Sequence, residues 1–318
     1  MSRTPIITVS GKITSEIYHL DIKQYNLPRS CSIYLLITSE STIIMDVGTS
    51  DDVSSILTFL KEKNISFKKI KYLIPTHHHF DHFGGGWKLW GKIKELNPDV
   101  KVLTINKTKK LLQNSQEHLN RAKRTFGERI GIMNPLPDDA YKIVEPEESI
   151  QIPGLEKQFK LVSTPGHTYD HISPTLSTDG KTEFVYLGEC AGGLSHSQML
   201  KTVPSSMPPE FHFQTYIESL KKIIDLKPYT VGYAHAGAVK GYEKVKEVLK
   251  EHVDFSYFFR DFVKTKFLER GTTKYVVEEF IEQILNGRSD VPHNELYTNY
   301  AVAVIYGQLI DLGFKNPK

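Results

Sequence analysis

The chain has only two cysteines, Cys31 and Cys190, in 318 residues. Two thiols cannot build a disulfide framework, and their scarcity fits a reducing cytosol. No apolar run approaches the roughly 18 residues of a membrane span, and Met1-Ser2-Arg3-Thr4-Pro5 lacks the apolar core of a signal peptide. An excess of charge of one sign is also missing. Lys+Arg number 40 against 37 Asp+Glu, and the net charge of +3 is too small to imply nucleic acid by itself. Internal repeats and low-complexity tracts are absent. What remains, 39% hydrophobic and 24% charged residues, is ordinary globular composition. The expectation is a soluble cytoplasmic protein with one large domain, alone or with a small appendage.

Against that plain background one stretch stands out, Thr76-His77-His78-His79-Phe80-Asp81-His82. It reads H-x-H-x-D-H, three imidazole ligands and a carboxylate, which is metal-site composition. In an extended segment His77 and His79 point the same way, because side chains alternate. Asp81 and His82 fall where the chain turns toward Gly84-Gly85-Gly86, so they aim at a different point. That geometry suggests two neighbouring metals. His78, between two ligands, is read as an ordinary surface or core residue.

The surrounding pattern is that of alternating strands and helices. Ser32 to Ile37 and Thr42 to Val47 are β-rich runs joined by a polar turn. Val53, Ile56, Leu57 and Leu60 follow helical spacing, with Asp51 or Asp52 as N-cap. Ile70 to Ile74 reads as a buried strand that delivers the histidines at its carboxyl end, the end at which layered α/β folds place ligand sites. Trp87 to Leu96 reads as a helix closed by Pro98. Residues 106–150 read as one or two helices and a proline-broken loop. Their basic run, Lys107 to Arg129, reads as a solvated face that can also cover an active site.

Strand character returns at Phe159 to Ser163, Glu183 to Leu187 and Tyr229 to Ala234, with Asp179-Gly180 as a hairpin turn. Phe213, Tyr216, Ile217, Leu220 and Ile224 form a helical stripe read as core. Beyond about residue 239 the pattern is helical: Val239 to Arg270, Thr273 to Leu285 and Asn294 to Leu312, with a break at Gly287 to Pro292. That tail contains no obvious chemical cluster.

Three of these strands each end in a further donor. His167 follows Ser163, Glu189 follows Leu187, and His235 follows Tyr233. If the strands share a sheet, their ends converge on one mouth.

Asp46-Val47-Gly48, His77-x-His79-x-Asp81-His82, His167, Gly188-Glu189 and His235 together resemble the ordered motif series of the metallo-β-lactamase superfamily. The resemblance covers roughly residues 30–240. It implies an α/β (α+β) fold, a four-layer αββα sandwich with two mixed sheets face to face. The helical tail resembles the C-terminal extension of the lactamase-like subgroup, some members of which cleave RNA. The domain expectation is therefore a catalytic domain over residues 1–238, including the 106–150 helical insertion, and a C-terminal helical extension over 239–318.

The resemblance also implies roles. His77, His79 and His167 would hold a first metal, and Asp81, His82 and His235 a second. Glu189 stands where the family has an aspartate bridging both, one methylene longer, so that it either still bridges or serves one metal only. Asp46 would orient a ligand without touching metal. The cofactors are two divalent ions, zinc first, with iron or manganese as alternatives. His171, close after His167 with Asp170, could approach the pocket but is read first as an ordinary polar loop residue, Cys190 as a small buried side chain, and His212 as part of a helix start. Asp179 is set aside as a metal ligand by its place in a turn.

The chemistry expected is metal-dependent hydrolysis, a metal-bound hydroxide oriented by Asp81 attacking an ester, thioester, lactone or related acyl group. The apolar segment Val203 to Phe213, if it faces the metals, favours a hydrophobic acyl or aromatic small molecule; no membrane partner is expected, and a homo-oligomer is compatible with the chain. The alternatives are a ribonuclease or phosphodiesterase using the basic 107–129 segment, a mononuclear iron dioxygenase of persulfide type, and a binding or regulatory protein with little turnover.

Overall fold

In the computed structural model, residues 6–291 and 294–317 are described. The signal-peptide reading of Met1 to Pro5 and the Pro292 end of the Gly287 to Pro292 break lie outside them. Two seven-stranded sheets form the body. The first runs in the order Gly11–Lys12, Ile17–Asp21, Ser32–Ile37, Thr42–Met45, Ile70–Ile74, Lys101–Thr104, Tyr141–Ile143. The second runs Ile6–Ile7, Gly237–Lys240, Thr230–Tyr233, Lys181–Tyr186, Ile172–Thr178, Gln158–Ser163, Ser149–Ile150. Each mixes parallel and antiparallel pairs: Thr42–Met45 and Ile70–Ile74 are parallel, as are Lys181–Tyr186 and Thr230–Tyr233.

The layering follows from strand alternation. Along Ser32–Ile37, Tyr34 and Leu36 point into the core between the sheets, while Ile33 and Leu35 point to the outer core beneath the helices. Lys181–Tyr186 divides likewise, Phe184 and Tyr186 inward and Val185 outward. A strand buried on both faces carries an almost continuous apolar run, which is why these segments show no polar alternation. Val53–Glu62 and Gly86–Lys94 cover the first sheet and Phe213–Asp225 the second, completing the expected four layers.

The helices expected at 53–60, 87–96 and in the tail form close to those bounds, the tail ones as Tyr242–Arg270, Thr273–Gln283 and Glu295–Asp311. Two of these begin at capped ends, with Thr272 accepting from Tyr275 N and Asn294 from Tyr297 N. Several strands were not legible. Gly237–Lys240, taken as the approach to a helix beginning at Val239, pairs instead with Thr230–Tyr233, and the helix starts at Tyr242. Ile172–Thr178 contains Pro174, which argues against a strand by local rules. Its neighbours Gln158–Ser163 and Lys181–Tyr186 impose it by tertiary pairing. The proline-broken loop holds Tyr141–Ile143, paired parallel to Lys101–Thr104.

The C-terminal helices have a core of their own, including Phe259, Val276, Phe280, Ala301 and Val304, and Val203 of the sandwich belongs to it. Two contacts tie this extension to the segment that follows Val203. Ser206 Oγ donates to Val304 O at 2.8 Å, and Gly307 lies so close that a Cβ there would sit 1.8 Å from Ser206 O. A third is made by His252, buried, with Nε2 2.7 Å from Tyr216 Oη and Nδ1 2.7 Å from Thr202 Oγ1. Among the described residues no helix is long and apolar enough to cross a membrane.

Gly307→Ala should therefore push the last helix off the loop and destabilise the protein by about 1–3 kcal/mol, read as a lowered denaturation midpoint. Burial, and then Arg288, lowers the His252 pKa from 6.5 to about 3. The unfolded chain binds that proton below about pH 6.5 and the folded chain does not, so the His252 contribution is lost as pH falls through this window. Urea titrations between pH 7 and 4 should show His252→Gln flattening the stability slope by up to about 1.4 kcal/mol per pH unit.

Candidate metal centre

The donors sit where strands stop. Ile70–Ile74 releases the chain into His77, His78 and His79, and a single helical turn, Phe80–Phe83, then turns Asp81 and His82 back. Gln158–Ser163, Lys181–Tyr186 and Thr230–Tyr233 run in one direction and end just before His167, Glu189 and His235. All six predicted ligand positions and Glu189 come together at this mouth.

Two groups result. His77, His79, His167 and Glu189 form one cluster of donor atoms, and Asp81, His82 and His235 another. His167 Nε2 is 3.2 Å from His77 Nε2 and 3.2 Å from His79 Nδ1. Donors on a tetrahedral zinc with bonds of about 2.0 Å stand about 3.3 Å apart, so the spacing suits an ion at the centre. Glu189 lies between the groups, Oε2 2.8 Å from His167 Nε2 and 3.3 Å from His82 Nε2, and Oε1 3.8 Å from His235 Nε2. Asp81 Oδ2 is 3.8 Å from His82 Nε2.

The far nitrogens determine what the near ones offer. His167 Nδ1 donates to Ser205 O at 2.5 Å and His235 Nδ1 to Ser30 O at 2.5 Å. Asp46 accepts from Thr76 N at 2.7 Å, Thr76 Oγ1 at 2.9 Å, Tyr186 Oη at 2.7 Å and His82 Nδ1 at 2.9 Å. Thr76 Oγ1, having given its proton to Asp46, accepts from His77 Nδ1 at 3.0 Å. With the Nδ1 protons so placed, Nε2 of His77, His82, His167 and His235 all present lone pairs to one space. His82 Nε2 is buried and has no hydrogen-bond partner of acceptable geometry. A buried ring nitrogen with no hydrogen bond, beside the Glu189 carboxylate and other imidazoles, fits a bound cation, and so does the donor set as a whole.

The electrostatics agree. Burial, helped by neighbouring imidazoles, holds His77 and His79 well below the usual histidine range, in the neutral form a metal requires. At His82 burial is outweighed by Asp81 and Asp46, which raise its pKa well above the usual value. The same negative field favours a cation at its Nε2. Glu189 is pulled well below the usual carboxylate range, burial being overcome by His167 and His82, and is ionised.

Some residues behave differently from their sequence reading. His171 is not a solvent-facing loop residue: it is buried 5.1 Å from the His77 ring. Its Nε2 accepts from Glu189 N at 3.1 Å and its Nδ1 lies 2.8 Å from Thr164 Oγ1. Burial, then His167, lowers its pKa to about 3, keeping that acceptor free. A Cβ on Gly188, whose φ is +53°, would lie 2.5 Å from His171 Nε2, so the glycine before Glu189 makes this contact possible. Asp170 is likewise buried, bound to His78 at 3.0 Å. His118 stacks on His79 at 4.9 Å and accepts from Phe80 N at 3.2 Å. No spacing rule singled it out, because its helix meets the site only through tertiary packing. His212 caps Phe213–Asp225, Cys190 is buried, and Asp179 is exposed in its turn, as read.

The centre opens into a cleft with two cavities, of about 270 and 180 Å³, each lined by Asp81, Glu189 and Met207. Of the apolar 203–213 segment, Met207, Pro208 and Pro209 face the larger cavity, while Phe211 and Phe213 pack into a core with Tyr216. Arg121 and Arg124 of the basic insertion line the larger cavity. So do Ala303, Tyr306 and Ile310 of the last helix, a contribution the tail's sequence did not reveal.

A family model described as the metallo-beta-lactamase superfamily matches residues 26–235. The metallo-beta-lactamase fold-containing protein ST1585 of Sulfurisphaera tokodaii is 27% identical over 232 residues, 71% of this chain and 78% of that one. A crystal structure of ST1585 aligns with a TM-score of 0.63 at 22% identity, covering 93% of this chain and 99% of that one. An N-acyl homoserine lactonase of Bacillus sp is 25% identical over 177 residues, 48% of this chain and 60% of that one. A hydroxyacylglutathione hydrolase of Prochlorococcus marinus is 26% identical over 157 residues, 49% of this chain and 48% of that one. By motif order, layered fold and the match over most of its length, the chain belongs to the metallo-beta-lactamase superfamily, whose members are metal-dependent hydrolases.

Proposed function

We propose that this protein hydrolyses an ester, thioester, lactone or related acyl bond in a small molecule at a two-metal centre. His77, His79 and His167 hold one divalent ion, Asp81, His82 and His235 the other, and Glu189 stands between them. The observation that carries this reading is the position of Glu189 Oε2, 2.8 Å from His167 Nε2 and 3.3 Å from His82 Nε2, within reach of both sets. The extra methylene thus lets glutamate fill the place of the family's shorter bridging residue. Imidazole and carboxylate donors favour zinc. Both cysteines are unpaired thiols, which supports a reducing, cytoplasmic setting. In domain terms, the sandwich forms the catalytic body through the strand Gly237–Lys240, a little past the expected boundary at 238, and the helices from Tyr242 form an extension that completes its cleft.

Divalent ions held there would supply a water acidified to a pKa of about 7 and polarisation of the acyl oxygen. The residues supply orientation. Asp81, a fifth exposed, faces both cavities and is placed to direct the attacking water and accept its proton. Asp46 locks the His77 and His82 rings through Thr76 and its own carboxylate, with its backbone in the left-handed region at φ 59°. The hydroxyl adds to the acyl carbon, the C–O or C–S bond breaks, and the leaving group takes a proton. Met207, beside Asp81 and lining both cavities, supports an apolar acyl substrate.

Metal analysis of protein purified without added metal, paired with ester, thioester, lactone and RNA substrates, tests this reading. Two ions and acyl hydrolysis are expected. RNA cleavage without acyl turnover, or one iron with oxygen consumption, contradicts it. His79→Ala should abolish turnover and lower metal content together, and unchanged stoichiometry would remove His79 as a ligand. Asp46→Asn, which touches no ion in this account, should weaken metal affinity about 10–100-fold in chelator competition.

A further inference from the structure

Resting on the hydrolase reading, we propose that the substrate straddles the metal centre. An apolar acyl chain lies in the smaller cavity, walled by the C-terminal helices, and an anionic leaving group bearing carboxylate or phosphate lies against Arg121 and Arg124 in the larger one. Asp81 and Glu189 line both cavities and, among the described residues, are the only carboxylates to line either. A bond placed at those two residues therefore has one arm of the substrate on each side.

The two cavities differ in chemistry. The smaller is bounded by Leu27, Leu194, Val203, Leu296, Tyr297 and Tyr300, drawn from an N-terminal loop, the sandwich and the last helices. Arg29, which lines it, is already bonded to Asp290 at 2.8 Å, and Asp290 also accepts from Ser197 N at 3.0 Å. An anion gains little there, whereas burying methylenes gains steadily.

In the larger cavity Arg121 and Arg124 sit three residues apart on Gln116–Phe126, on one face of that helix. Arg121 pairs with Glu117 at 2.9 Å, and the Glu117 side chain is 79% exposed. A water-screened pair of that kind is weak and yields to a carboxylate or phosphate that can be gripped by the guanidinium fork. Buried Ala122 anchors the helix that carries both arginines.

The test uses S-acyl thioesters of 3-mercaptopropionate with acyl chains from two to ten carbons, beside the same series as neutral methyl esters. Over the short chains kcat/KM should rise about fourfold per methylene and then level off as the cavity fills. At equal chain length the anionic series should be favoured about tenfold or more. Arg121→Ala/Arg124→Ala should erase the preference for the anion and keep the chain-length profile, and Leu296→Trp should shorten the chain length at which kcat/KM peaks. Melting temperature and metal content recorded alongside identify a variant that fails to fold, and the wild-type profiles stand without the variants. Turnover of every thioester with a flat chain-length profile, or an anion preference that survives loss of both arginines in folded protein, overturns this inference and leaves the hydrolase standing. Absence of thioester hydrolysis with ester or lactone turnover intact overturns this inference alone, and absence of all acyl hydrolysis in metal-loaded protein overturns it together with the reading on which it rests.

Discussion

Five imidazole nitrogens aimed into one space, with the carboxylates of Glu189 and Asp81 beside them, are the constraint on which the rest of this structure depends. His77, His82, His167 and His235 each commit Nδ1 to a neighbour, so their Nε2 lone pairs, joined by Nδ1 of His79, face inward. Lone pairs about 3 Å apart repel, and burial removes the water that would separate them. A cation relieves that repulsion. Much of the surrounding structure holds this arrangement in place: Asp46 with four accepted hydrogen bonds, the Ser205 and Ser30 carbonyls, and His171 beneath the Glu189 backbone.

The C-terminal extension belongs to the same apparatus. Its long helix supplies His252, which meets Tyr216, and Tyr216 Oη reaches Ser205 Oγ at 3.1 Å and Glu189 O at 3.3 Å. Ser205 O in turn receives the His167 proton. A continuous set of buried contacts thus links the tail to two of the residues at the centre. The last helix meanwhile walls the cleft, so that the shape of the cleft and the geometry of the donor cluster both draw on the extension.

The centre was legible because its chemistry is written in short segments that follow apolar strands. The H-x-H-x-D-H run, His167, Glu189 and His235 each announce a donor at a turn, and the sandwich brings the turns together. Helices with a clear apolar stripe, such as Val53–Glu62 and Phe213–Asp225, were equally plain. Strands governed by partners were hidden: Pro174 breaks the local rule in Ile172–Thr178, and Gly237-Ala238 has little strand character until Thr230–Tyr233 pairs with it. His171 and His118 carry no spacing signal, since one acts through the backbone of a residue far along the chain and the other through ring stacking. The cleft walls were the least legible part. Leu296, Tyr300 and Tyr306 look like ordinary core positions of a helix until the fold turns them toward Asp81 and Glu189.

The central claim is that a pair of cations occupies the space between these imidazoles, one on each side of Glu189. Anomalous diffraction from crystals of the metal-loaded protein, recorded at the absorption edge of the bound element, tests it most directly. The account predicts two peaks, one among His77, His79 and His167 and one among Asp81, His82 and His235, with the Glu189 carboxylate between them. A map with no peak at this mouth, or with its only peaks elsewhere on the molecule, would contradict it.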